Sequence, residues 1–184
     1  MLRPFYFDGI FMKIATWNIN SLNVRLAQVQ DWLQQHQPDV LVLQELKLDQ
    51  DKYPAAAFQL SGWHTAWSGQ KTYNGVAIIS KHELADVHTG LPGLPDDPQR
   101  RVIAATVNGV RVVDVYCVNG EALGSEKFDY KRRWFAALAD QLVQDAGRDH
   151  RSAHEHAEEH QQAQQSQADQ PEGQAQQGVA WLAW

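Results

Sequence analysis

The sequence is nearly without cysteine: Cys117 stands alone among 184 residues. No intramolecular disulfide is available, and the usage fits a reducing cytoplasm. On a β-rich segment such a cysteine reads as a small buried apolar side chain. Long apolar runs are also missing. No run of about 18 apolar residues occurs, so no membrane-spanning helix is expected. The opening MLRPFYFDGIF has one arginine and no small-residue cleavage site, a poor secretory leader. It precedes a second methionine, Met12, so residues 1–11 read as an upstream extension. From 149 to 178 there is no Val, Leu, Ile, Met, Phe, Tyr or Trp, and nine positions are Gln and four are His. Such a segment cannot offset its ordering entropy by burial. Residues 149–184 are therefore expected to form a low-complexity tail, disordered or a solvated helix. Its His150, His154, His156 and His160 include i, i+4 pairs that can hold a transition metal, but no cysteine or carboxylate shell supports a site there.

Excess charge is scarce outside that tail. The net charge is −6, and residues 149–184 account for −5 of it, six acids against Arg151. A near-neutral body neither demands nor excludes a nucleic-acid partner. What is present is a 43% hydrophobic chain of single-domain length. The expected organisation is the extension, a domain over 12–148, and the tail from 149.

The body is organised around Lys13 to Glu45. An apolar run, Ile14 to Trp17, ends in Asn18, and a second, Val40 to Leu43, ends in Gln44-Glu45. Between them Leu22, Leu26, Val29 and Leu33 recur at helical spacing, with Ser21 or Asn23 to cap the start and Pro38 to stop the helix. Strand–helix–strand crossovers usually make parallel strands, whose carboxyl ends share one edge. Asn18 and Glu45 then lie close together. An amide and a carboxylate there can hold a hard cation and orient a phosphate. The plainer alternative is a helix cap and a solvated acid.

Farther on, Pro54 to Leu60 suits a short helix and Trp63 to Trp67 a strand. Gly75 to Ser80 suits a strand buried on both faces, and Leu84 to His88 a more exposed one. Leu91 to Gln99, with three prolines, must be a loop. Val102–Val107 and Val110–Val118 flank Asn108-Gly109, the signature of a two-residue type I′ hairpin. That register sets Val107 against Val110 and Arg101 against Tyr116, on one face, with Cβ atoms about 5 Å apart. A guanidinium beside a phenol favours its ionisation or orients an anion next to it; packing of the ring under an arginine stem is the simpler role. Asn119 adds a second amide nearby. Ser125 to Ala146 suits an amphipathic helix with Phe128, Phe135, Leu138 and Leu142 along one side and Trp134 beside them. Lys131, Arg132 and Arg133 form a basic cluster, a solvated face or a DNA contact.

The stretches MKIATWNINSLNVRL, QPDVLVLQELK, YNGVAIISK, QRRVI and VYCVNG followed by EKFDYKRRWF occur in that order over residues 12 to about 145. Together they resemble the N-terminal part of the exonuclease III / AP endonuclease family, within the endonuclease–exonuclease–phosphatase superfamily. The resemblance implies a four-layered α/β sandwich with two mixed sheets packed face to face. It implies Mg²⁺-dependent (Mn²⁺ as substitute) cleavage of double-stranded DNA, by 3′→5′ exonuclease action or incision at abasic sites. By position, Glu45 resembles the metal-binding glutamate, and Asn18 the asparagine that supports phosphate and metal. Tyr116 resembles the catalytic tyrosine at the scissile phosphate. Asn119 and Arg101 match neighbouring polar positions that contact the phosphate.

The family's second half carries a Gly-Asp-Phe-Asn-type motif and a terminal Ser-Asp-His-type motif, and neither occurs among these residues. The expectation is a shortened, weakly active nuclease whose half sandwich bares an apolar sheet face and open edges. A phosphatase or phosphodiesterase of the same superfamily, or a non-catalytic DNA-binding fragment, are the alternatives.

Overall fold

The computed structural model describes the backbone of residues 3–7 and 10–168 and the side chains of residues 11–147. It divides into two units, Met1–Gln144 and Asp145–Trp184. The first unit holds two sheets. Strand β1 (Arg3–Phe7) pairs antiparallel with β2 (Ile10–Asn18). Helix α1 (Leu22–His36) then crosses to β3 (Val40–Gln44), which lies parallel to β2 with Asn18 opposite Gln44. After a short helix α2 (Ala55–Gln59) come β4 (His64–Ser68) and β5 (Val76–Ser80), which complete the order β1-β2-β3-β5-β4. Strands β6 (Ala85–Thr89), β7 (Val102–Val107) and β8 (Val110–Val115) form a separate antiparallel sheet.

Strand alternation sorts the core into three layers of contact. On β3, Leu41 and Leu43 face one way and pack with Leu22, Val29 and Leu33 of α1. Val40 and Val42 face the other way and meet Ile103, Ala105, Val107 and Val112 of the second sheet. The outer face of that sheet, through Val102, packs on Trp134, Ala137 and Leu138 of α3 (Glu126–Ala168). Helix, sheet, sheet, helix is the four-layered sandwich expected. Period-2 strands supply one face to each neighbouring layer, and β3 and β5, between two layers, are buried throughout. Among the described residues α1 packs on one outer face and α3 on β7 and β8 of the other, where a bare apolar face was expected, while all of β6 is exposed. Among the described residues β8 pairs only with β7, the kind of open edge expected.

Several local expectations are corrected. Ser21 occupies the N-cap of α1 but makes no side-chain cap hydrogen bond; its φ of 89° turns the backbone so that the Ser21 and Leu22 N–H groups donate to the carbonyls of Glu45 and Leu46. Strand β8 stops at Val115 rather than Val118. The Arg101 guanidinium takes the carbonyls of Tyr116 and Cys117, at 3.2 and 3.1 Å, where a ladder would continue. Cys117 is consequently exposed, not buried. On α3, Trp134 is buried while Phe135 and Leu142 are exposed, so the inward stripe runs through Trp134, Ala137, Leu138 and Gln141. Ser125 caps this helix through Oγ, which accepts from the Phe128 N–H at 3.1 Å. The helix continues to Ala168, past the expected end at Ala146. No Gly or Pro falls between 148 and 168, and Gln, Ala, His and Glu make up most of the stretch, so nothing in it breaks a helix. The disordered reading of 149–168 gives way to the helical one. Residues 169–184, and the histidine side chains between 150 and 160, lie outside the described residues. Among the described residues no helix is long and apolar enough to cross a membrane.

Candidate active site

The parallel pairing of β2 and β3 brings Asn18 and Glu45 to one edge, as their positions imply. Asn18 Nδ2 donates to Glu45 Oε1 at 2.8 Å. The second sheet adds Tyr116, whose hydroxyl donates to the same oxygen at 2.9 Å across 71 residues of chain. Lys47 Nζ lies 3.0 Å from Oε2 and also donates to Asn20 Oδ1. Three donors thus surround one carboxylate. The Asn18 hydrogen bond, with those of Lys47 and Tyr116 and the Lys47 charge, outweighs burial and holds Glu45 below the ordinary carboxylate range.

The loop that presents Glu45 is conformationally costly. Glu45 and Lys47 both have positive φ, 60° and 52°, as do Asn20 and Ser21 across from them. Non-glycine residues adopt that region rarely. It is fixed by backbone bonds from Leu46 N–H to Gly75 and from Lys47 N–H to Asn74. Gly75 is needed for this approach: its φ is +89°, and a Cβ there would lie 2.9 Å from Leu46 Cβ.

Arg101 and Tyr116 are cross-strand neighbours, in the register that Asn108-Gly109 imposes. The turn residues have φ of 48° and 77°, and Tyr116 N–H donates to the Arg101 carbonyl at 2.8 Å. The guanidinium stacks 4.6 Å from the ring centroid. Of the two roles open to this pair, ionising the phenol or orienting an anion beside it, the geometry agrees with the second, since the Glu45 carboxylate lies against the Tyr116 hydroxyl. Burial, the hydrogen bond to Glu45 and the Glu45 charge raise its pKa, and Arg101 only partly opposes them. Tyr116 is a held donor. Asn119 is exposed, and its Oδ1 accepts from the Glu121 N–H at 2.9 Å; among the described residues it makes no hydrogen bond to Glu45, Asn18 or Tyr116.

Among the described residues no group of three or more His, Cys, Asp or Glu side chains converges. A cation at Glu45 would meet one carboxylate and, beside it, the amide oxygen of Asn18, which here accepts from the Asn20 N–H. This sparse, all-oxygen set fits a hard divalent ion that keeps most of its water and not a soft metal.

Two features escaped sequence reading. Lys47 sits in the polar run after Glu45 and gave no sign of its ionic contact. Asp114 did carry a signal: an acid in the apolar run VVDVY, at a buried position.

Residues 15–178 match the model of the endonuclease/exonuclease/phosphatase family. An exodeoxyribonuclease III of Haemophilus influenzae is 33% identical over 136 residues, which cover 71% of this chain and 51% of that one. The solved 3′-5′ exonuclease of Neisseria meningitidis is 70% identical, with a TM-score of 0.73 over 75% of this chain and 54% of its own. A 3′ phosphatase from Neisseria, solved with a product DNA hairpin, is also 70% identical, with a TM-score of 0.72 over 74% and 53%. The chain thus spans about half the length of the relatives it matches. The strand-end glutamate with its amide and phenol partners, the four-layered fold and these likenesses agree: the chain belongs to the endonuclease/exonuclease/phosphatase family.

Proposed function

We propose that this chain carries the Glu45 half of a DNA-hydrolase site, for attack of water on a phosphodiester in double-stranded DNA at 3′ ends or abasic positions. The observation that carries the reading is the convergence of Asn18 and Tyr116, from two sheets, on one oxygen of Glu45. Glu45, held ionised, and the Asn18 amide would hold Mg²⁺, with Mn²⁺ as substitute. The ion, when bound, supplies charge neutralisation at the phosphate. Tyr116 keeps its proton at neutral pH and has one hydroxyl to offer a phosphate oxygen. Arg101 fixes the Tyr116 ring by stacking on it and adds positive charge. Asn119 is proposed to turn its amide toward the phosphate when DNA is present.

Phosphoryl transfer relies on positioning and charge stabilisation. The aspartate and histidine that the family resemblance places in the second half are not among residues 12–146. Loss of a positioned base costs about 10²–10⁴-fold in rate, so a polypeptide of these 184 residues should act near the assay floor. A second reading, removal of a 3′ phosphate, is favoured by the 70% identical relative described as a 3′ phosphatase. The test is incubation with abasic-site duplex and with 3′-phosphorylated duplex, with Mg²⁺, beside a Glu45→Ala control. Weak Glu45-dependent nicking supports the first reading, and weak Glu45-dependent phosphate release the second. DNA retention in a gel shift, with neither reaction, makes the chain a binding fragment. Turnover typical of a complete enzyme would contradict the half-site argument.

A further inference from the structure

We propose that Gln44 and Asp114 are positioning residues that set how Tyr116 meets Glu45, by clamping the two sheets together one step below the site. The inference takes its functional meaning from the reading of Glu45 and Tyr116 given above; its test does not depend on it.

Glu45 follows the first sheet and Tyr116 follows the second, and among the described residues no backbone ladder joins the sheets. The layer between them, with Val42, Ile78, Ile103 and Val112, is apolar. Apolar packing is non-directional: it holds two sheets near each other but gives no preferred angle to a hydrogen bond at their rim. A hydrogen bond does carry direction. Gln44 Nε2 donates to Asp114 Oδ1 at 2.6 Å, across 70 residues of chain, with both residues buried. The same amide donates to Thr16 Oγ1 at 3.0 Å. Thr16 and Asp114 lie two residues before Asn18 and Tyr116, so strand alternation puts each on the same face as the residue it precedes. Gln44 directly precedes Glu45. One buried amide therefore joins the three chain segments whose ends carry Asn18, Glu45 and Tyr116.

The clamp is not a device for stability. Burial pushes the Asp114 carboxyl up to about 7, against the opposing hydrogen bonds of Gln44 and of the Val115 and Ala77 backbone. Its Oδ2 is buried with no hydrogen-bond partner among the described residues. An apolar side chain would suit such a place better. Directional registry of the two sheets is what the polar pair supplies and an apolar pair would not.

The experiment uses the 184-residue chain labelled with [¹³Cζ]tyrosine, with the Tyr116 resonance assigned by Tyr116→Phe. Its chemical shift at pH 7, which reports the hydrogen bond that the hydroxyl donates, is compared in wild type, Glu45→Ala, Gln44→Met, Asp114→Val and Asp114→Asn. Valine suits a buried strand position, so Asp114→Val should fold even if Gln44→Met does not; circular dichroism checks this. Glu45→Ala gives the Tyr116 shift without the bond to Glu45. In Asp114→Val and Gln44→Met the Tyr116 shift moves from the wild-type position toward that of Glu45→Ala. Asp114→Asn keeps an acceptor oxygen for Gln44 and keeps the wild-type shift. Tyr130, bonded to Asp97, serves as an internal control and stays in place. A Tyr116 shift unmoved in folded Asp114→Val, or moved equally in Asp114→Asn, overturns the proposal. Absence of nuclease or phosphatase activity would overturn the functional reading and leave this result standing.

Discussion

Replacing Asp114 by asparagine should flatten one part of the stability–pH curve. Asp114 is 2% exposed, and burial raises its pKa from 3.8 to about 7. A carboxyl that binds its proton more tightly when folded favours the native state at low pH. That favour is complete below 3.8 and fades as pH rises to about 7. At about 1.4 kcal/mol per pH unit, the whole effect amounts to roughly 4 kcal/mol. Domains of this size have about 5–15 kcal/mol to lose, so the term is large enough to read. Glu45 runs the other way: its depressed pKa gives stability above the usual carboxylate range, lost as pH falls below it. It therefore contributes no slope between pH 5 and pH 8. The assay is urea unfolding at those two pH values, followed by tryptophan fluorescence, for wild type and Asp114→Asn. The other ionisable groups are common to both proteins and cancel in the difference. The difference in unfolding free energy should move by about 2–3 kcal/mol in favour of the variant as pH rises. Equal pH dependence in the two proteins would refute the buried-acid argument.

Two further outcomes follow from packing and backbone. Trp134→Ala should cost about 3–5 kcal/mol by urea unfolding, since Trp134 is 1% exposed; Phe135→Ala, next to it but 41% exposed, should cost about 1 kcal/mol or less. Gly75→Ala combines a φ of +89° with a 2.9 Å approach to Leu46 Cβ and should lower Tm by about 5 °C, whereas Gly109→Ala, with open space around it, should cost only about 1 kcal/mol.

What was legible in the sequence is what local chemistry decides. Asn-Gly tolerates positive φ at both turn residues, so Asn108-Gly109 fixed the hairpin register and, with it, the Arg101–Tyr116 contact. The α1 stripe was legible because its polar face leaves one way to bury Leu22, Val29 and Leu33. The crossover then brought Asn18 to Glu45. Legibility failed where two local solutions compete. On α3, Trp134 and Phe135 are adjacent apolar residues about 100° apart around the axis; periodicity admits either as the inward one, and only the sheet beneath chooses. The sequence left two roles open for Tyr116 because Arg101 was visible as its neighbour through the hairpin, while Glu45, 71 residues away, was not. The helix beyond Ala146 stood only as one of two readings, because a segment with no apolar face offers no periodicity to read, though its propensity was there.

The chain separations at the site bear on how it forms. The β7–β8 hairpin closes over two turn residues, the kind of structure that forms in about 1–10 μs. The contacts that define the site span 27, 70 and 71 residues. Loop closure of that length is entropically deferred until both sheets exist. The site is therefore among the last contacts made in refolding. An intermediate can hold a complete hairpin, show native strand content and still have no carboxylate–phenol pair. Recovery of the Tyr116–Glu45 bond therefore reports the docking of the two sheets rather than the formation of either one.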